Sequence, residues 1–318
     1  MRVLVPGGGG YVGAMLVPHL LADGHFVTVY DTEWFGKHHL PIHNESMRFI
    51  NGDVRHKRAF ASACEGQDAV IYLASISNNA MCEKYPELAH SVNVSAFDHC
   101  VMGARNAGVK RFIYASSVAA YGSVKNAKED SELAPTTPYG EGKAACEKVL
   151  ASYGLRDFCT TIVRSASVFG YSLNMRFDLT LNKMIHDAMR KGAITVNGGN
   201  QKRCHISLVD ICKLYKLLLA APVRDIAGES FNAVCFTESV LDSAKYIGRV
   251  LNVPVNIKPH SDDRSYTVDF LKAFQHLEFI AEESPLAATE ILKAHFDSGR
   301  WTDSMTNQHY LRMADGLS

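Results

Sequence analysis

A glycine cluster set between a strand and a helix limits this chain more than any other feature. Residues 2–5 (RVLV) form a short apolar run, and Pro6 leads into four consecutive glycines and then Gly13. Residues 11–23 carry a helical pattern closed by Asp23-Gly24, and residues 26–30 (FVTVY) read as a second strand. Strand, glycine turn, helix and strand within about 30 residues form a βαβ unit. Gly7, Gly10 and Gly13 stand in G-x-x-G-x-x-G spacing. In such a turn the first glycine permits the tight bend and the second lets the backbone approach a pyrophosphate. The third allows close helix–strand packing, and the unpaired N–H groups of the helix start face the phosphates. Tyr11 and Val12, between the last two glycines, are expected to touch the same cofactor. Asp31 ends the second strand, where a carboxylate accepts hydrogen bonds from an adenosine ribose and repels a 2′-phosphate. No Arg follows at once, so NAD is expected over NADP.

The alternation continues. Strand-like runs occur at 48–50, 69–73, 111–115 and 160–163, separated by helical stretches around 56–64, 86–107 and 139–153. This pattern predicts a Rossmann-type α/β fold, a doubly wound parallel sheet with helices on both faces. After about residue 170 the texture changes, with one helix near 178–191, then a short strand (206–209) and helix (210–220) expected to return to the sheet. The expected organisation is a Rossmann domain over 1–170, rejoined by 206–235, with a smaller mixed α/β substrate lobe from 171–205 and 236–318.

Charge and cysteine usage narrow the setting. Basic and acidic residues both number 33, a balance that argues against nucleic acid as a partner. No window approaches the roughly 18 apolar residues that span a bilayer, so no membrane partner is expected. Eight scattered cysteines without C-x-x-C read as reduced thiols of a cytoplasmic protein, not a zinc site. His38, His39 and His43 fall in a loop without a second ligand cluster, and no metal is expected.

Tyr139 and Lys143, in YGEGK, lie one helical turn apart on one face. A phenol with an ordinary pKa of about 10 is a poor base at neutral pH. A nearby ammonium favours the phenolate and moves it toward the working range. Lys143 is placed to hold the nicotinamide ribose as well.

With the glycine turn, GDVR at 52–55, YLAS at 72–75, SVNVSAF around Asn93, YASSVAAYG at 114–122 and YGEGK at 139–143, the chain resembles the extended short-chain dehydrogenase/reductase family. The likeness is strongest to its NAD-dependent nucleotide-sugar epimerases and dehydratases, and it runs from Met1 to about Phe279. The resemblance implies that Asp53 and Val54 contact adenine, that Leu73, Ala74 and Ser75 lie under the cofactor, and that Asn93 belongs to the same site. It implies Ser117 as the third catalytic residue beside Tyr139 and Lys143, with Ser116 as a further hydroxyl at the substrate. Arg203 in RCHISLVD and Arg264 in DDRSYTVD match arginines that grip a substrate diphosphate in the family, and Arg176 and Asn182 are added as substrate contacts. A homodimer is implied, through helices bearing Val92, Val94, Val101, Ala145, Val149 and Leu150. Pro6, Gly142 and Ser167 depart from the family's usual Thr, Ser and Asn.

Related 4,6-dehydratases carry an acidic pair after the catalytic hydroxyl. Here those positions are Val118 and Ala119, which move no proton. The expectation is therefore epimerisation of a nucleotide sugar at C4 through a keto intermediate. A 4-keto sugar reductase or dehydrogenase using the same residues stays open, as does an NAD-binding scaffold.

Overall fold

In the computed structural model, which describes residues 1–153, 157–259 and 265–312, the predicted βαβ unit is the centre of the molecule. Strands β1 (Arg2–Pro6), β2 (Phe26–Asp31), β3 (Met47–Asn51), β4 (Ala69–Tyr72), β5 (Arg111–Ser117) and β6 (Cys159–Ser165) run parallel. They lie in the order β6-β5-β4-β1-β2-β3. The order reverses between β1 and β4, which opens a crevice at the carboxyl ends of those strands.

The pleat explains why the central strand sequences are largely apolar on both faces. Val3 and Val5 of β1 enter one core, whereas Leu4 enters the other. Ile71 and Ile113 likewise oppose Tyr72, Phe112 and Tyr114. A parallel sheet covered on both faces needs apolar residues at every position. Helix α1 (Gly13–Ala22) follows β1, and α2 (Lys57–Cys64) follows β3. The expected 86–107 helix is broken into three elements. After α3 (Asn79–Lys84) come α4 (Pro86–His90), a π-helical turn (Ser91–Ser95) and α5 (Phe97–Asn106). The wide turn is closed by Ala96 N–H donating to Ser91 O at 3.1 Å. Helix α6 (Pro138–Ala151) starts on a Thr137 cap whose hydroxyl accepts from Gly140 N–H.

One expectation is corrected. The strand expected at 206–209 does not rejoin the main sheet. After β7 (Ser167–Phe169), α7 (Thr180–Lys191) and β8 (Ile194–Asn197), the chain forms β9 (Lys202–Ser207). With β7 and β11 (Phe236–Ser239), β9 builds a separate three-stranded sheet. Strand β10 (Ser230–Ala233), reached through α8 (Leu208–Ala220), makes the return by pairing with β6. Strand β12 (Val255–Lys258) pairs only with β8.

Candidate active site

The crevice is lined from the ends of β1, β2, β3, β4, β5 and β6 and from the start of α6. At the glycine turn, Gly7 adopts φ +78, and a Cβ there would stand 2.6 Å from Ala74 N. A Cβ at Gly13 would stand 2.3 Å from Gly8 O. No side chain caps α1; Ala14 and Met15 N–H groups already donate to Gly10 O and Val12 O, whereas for Tyr11, Val12 and Gly13, which line the crevice, no backbone bond uses the N–H group among the described residues, and these face an anion. Asp31 carboxylate oxygens accept from Gly9 N–H at 2.9 Å and Glu33 N–H at 3.0 Å, and burial raises its pKa. Each oxygen keeps acceptor capacity for a ribose hydroxyl. Asp53 accepts from the Arg55 backbone and guanidinium, and Val54 lines the crevice beside it. Leu73, Ala74 and Ser75 form the opposite wall.

Ser117, Tyr139 and Lys143 meet at the other end. Lys143 Nζ donates to Ala115 O at 2.7 Å and lies 5.5 Å from the Tyr139 ring centre. The Ser117 hydroxyl, which donates to Ser165 O at 3.4 Å and accepts from Ala119 N–H at 3.2 Å, stands near enough to Tyr139 to act against the rise in its pKa. Burial pushes the Tyr139 phenol up to about 12 and the Lys143 ammonium down to about 8. The strongest charge acting to lower Tyr139 is the Arg176 guanidinium, not Lys143. Val118 and Ala119 line the wall next to Ser117, and among the described residues the only carboxylates lining the crevice are Asp31 and Asp53, at its far end.

Several expected contacts lie elsewhere. Asn93 does not line the crevice; its Oδ1 accepts from Ile76 N–H at 2.8 Å and its Nδ2 donates to Ile76 O at 3.0 Å. It sits in the π-helical turn and shapes the β4 loop from behind. Ser116 does line the crevice, but its hydroxyl donates to Glu147, inside a buried network in which Arg164 holds Glu147 at 2.7 Å and Tyr121 Oη at 2.6 Å. Asn182 is fully buried away from the crevice and bridges Gly170 N–H, Tyr11 Oη and Arg176 O. Arg176 does line the crevice, but its guanidinium is held by Asp178 at 2.6 Å and donates to Ser77 Oγ at 2.7 Å. Arg203 stacks over Tyr266, whose ring, rather than the guanidinium, lines the crevice. Arg264 lies outside the described residues.

Trp34, Phe35, Tyr266 and Arg312 line the crevice without having been singled out in the sequence. For Arg312 no local signal exists. Its guanidinium sits 4.2 Å above the Phe35 ring, brought there by the last described residues of the chain. The uncapped helix start, the glycines that leave no room for Cβ atoms and this buried cation all suit a dinucleotide phosphate.

The profile of the NAD dependent epimerase/dehydratase family matches residues 3–233. The chain belongs to that family. NAD is therefore its cofactor. A 3β-hydroxysteroid dehydrogenase/Δ5→4-isomerase of Mycobacterium tuberculosis is 30% identical over 210 residues, 63% of this chain and 54% of the relative. A UDP-glucose 4-epimerase of Lactobacillus helveticus is 32% identical over 155 residues, 48% of this chain and 46% of the relative. The chain thus spans about half the length of these curated relatives. In fold, it resembles the dTDP-glucose 4,6-dehydratase DesIV of Streptomyces venezuelae, with a TM-score of 0.85 at 22% identity, covering 95% of this chain and 99% of that one.

For this epimerase/dehydratase-family chain, Asp31 gives a direct test of cofactor choice. Its carboxylate should make NAD bind at least tenfold more tightly than NADP. Asp31→Asn keeps the shape and removes the charge, so it should narrow that gap. Titration showing the same affinity for both dinucleotides in the unaltered protein would rule out the role given to Asp31.

Proposed function

We propose that this protein epimerises a nucleotide-linked sugar at C4 through a keto intermediate. The observation that carries the reading is the meeting of Ser117, Tyr139 and Lys143 at the end of the crevice opposite Asp31, where no carboxylate among the described residues lines the wall. Bound NAD supplies a hydride acceptor and later a donor. Tyr139 Oη takes the proton of the C4 hydroxyl and returns it after the sugar has turned. Ser117 Oγ holds the substrate oxygen and the phenol in line. Lys143, fixed by Ala115 O, holds positive charge near the ring and is placed for the nicotinamide ribose. Val118 and Ala119 offer no acid for expelling water, which supports epimerisation over dehydration.

The experiment is incubation of the purified protein with UDP- and dTDP-hexoses, followed by NMR of the products and absorbance of the nicotinamide. Inversion at C4 with no net NADH is expected. Release of water, giving a 4-keto-6-deoxy sugar, would overturn the reading. Stoichiometric NADH would instead favour a dehydrogenase using the same three residues. One observation speaks for that second reading: the named activity of the Mycobacterium tuberculosis relative.

We further propose a homodimer through α5 and α6. Val92, Val101 and Leu150 are buried in the protomer core, so the face left for a partner would be made by Val94, Ala145 and Val149 among polar neighbours such as Asp98 and Lys148. Sedimentation at micromolar concentration should give twice the chain mass, and a single-chain mass would refute the pairing. All eight cysteines are free and seven are buried, in keeping with a reducing compartment such as the cytoplasm. Among the described residues no helix is long and apolar enough to cross a membrane.

A further inference from the structure

Arg312 is 6% exposed and lines the cofactor crevice. One arm of its guanidinium is used: Nη2 donates to Asn174 O at 3.0 Å and to Asn174 Oδ1 at 2.9 Å. The other, Nη1, is buried without a hydrogen-bond partner among the described residues. No ion pair joins Arg312 to a carboxylate among the described residues, although Asp31 and Asp178 lie within electrostatic reach. A buried guanidinium lacking both a carboxylate and a partner for one arm is costly to keep. Burial accordingly lowers it to about 9.

The surroundings fix where this cation points. Asn174, its anchor, donates through Nδ2 to Gly9 O at 2.7 Å, in the glycine-rich turn. The segment carrying Arg312 is tied down on both sides. Asn78 Nδ2 donates to Leu311 O at 2.9 Å, and Phe177 N–H donates to Tyr310 O at 2.8 Å. His309 packs edge-on to Phe35 and lies 3.1 Å from Asn174 Oδ1. The guanidinium is thus held between the glycine turn and the loop after β4, the two walls between which a dinucleotide must thread its phosphates.

We propose that Arg312 is a ligand of the cofactor's pyrophosphate, carried into the crevice by the C-terminal segment. This rests on the NAD reading of the crevice. The free arm accounts for the unpaired buried group, because a phosphate oxygen supplies the missing acceptor and the missing negative charge at once. A 2′-phosphate would satisfy the same chemistry, and the test separates the two.

The full chain, Arg312→Gln and Arg312→Lys are titrated calorimetrically with NAD, ADP-ribose, NADP and adenosine. Arg312→Gln should weaken NAD and ADP-ribose by roughly ten- to a hundredfold, as for loss of a charge-assisted hydrogen bond, and leave adenosine unchanged. Arg312→Lys, which keeps the charge, should lose less. Should the Gln variant fail to fold, the Lys variant carries the test through the same contrast between ADP-ribose and adenosine. Equal NAD affinity in variant and parent overturns the proposal, and so does an equal loss for adenosine, which would mean a general collapse of the crevice. A larger loss for NADP than for NAD assigns the arginine to a 2′-phosphate and overturns the pyrophosphate assignment. Absence of NAD binding by the unaltered chain overturns the cofactor reading and this proposal with it.

Discussion

Tyr139→Phe should lower turnover by roughly a hundredfold or more while leaving the fold and NAD affinity intact. The substitution keeps the ring that Lys143 faces and removes only the oxygen that exchanges a proton. In the free protein the phenol is held up to about 12 by burial, so at neutral pH it rests in its protonated form. That form suits return of a proton to a carbonyl oxygen. Removal of a proton from a hydroxyl requires the phenolate, toward which the Arg176 charge and the nearby Ser117 hydroxyl both pull. Ser117→Ala should therefore be milder than Tyr139→Phe, because it weakens one of two influences and leaves the acid itself. A Tyr139→Phe protein with near-normal turnover, measured by product NMR, would remove Tyr139 from the chemistry.

Glu147→Ala should destabilise the protein by about 3–5 kcal/mol, the cost of leaving a buried charge without its partner. Arg164 Nη2 lies 2.7 Å from Glu147 Oε2, and both side chains are almost wholly buried. Glu147 follows Lys143 by one turn of α6, whereas Arg164 stands on β6, so this pair fixes the catalytic helix to the sheet. The variant should melt several degrees lower, and its remaining folded fraction should bind NAD less well through a displaced Lys143. An unchanged melting temperature would show that solvent or another group compensates Arg164. Glu147→Gln, which keeps an acceptor for Arg164 and Ser116, should be less damaging.

What was legible in the sequence was local or periodic. The glycine spacing and the alternation of apolar runs come from short-range sterics and pleat geometry, so β1 to β6, α1, α6 and the Tyr139–Lys143 turn could be read directly. Partner choice could not. Asn93, Ser116 and Asn182 are polar residues near a site, and sequence position does not say whether such a side chain turns to the ligand or to backbone behind it. All three turn to protein groups. Arg176 was visible as a cation, but Asp178, two residues on, claims it. The smaller sheet escaped because its strands are three to six residues long and pair across distant segments. Arg312 is held at the crevice by Asn174 and Phe35, and its neighbour Leu311 by Asn78, none of them near it in the chain.

The stitching of the glycine turn also sets an order of events during synthesis. Tyr11 Oη donates to Gly170 O at 2.7 Å, Ser172 Oγ donates to Tyr11 O at 2.7 Å, and Asn174 Nδ2 donates to Gly9 O. Each of these bonds spans more than 150 residues of chain. The turn leaves the ribosome well before the groups that lock it, which stand at residues 170–174. Contacts so distant in sequence carry a loop-closure cost that local structure does not, and they form late. A nascent chain stopped before residue 170 would hold β1, α1 and β2 but leave the backbone of the phosphate turn without these restraints. The glycine turn is thus completed only once the segment at residues 170–174 has joined it.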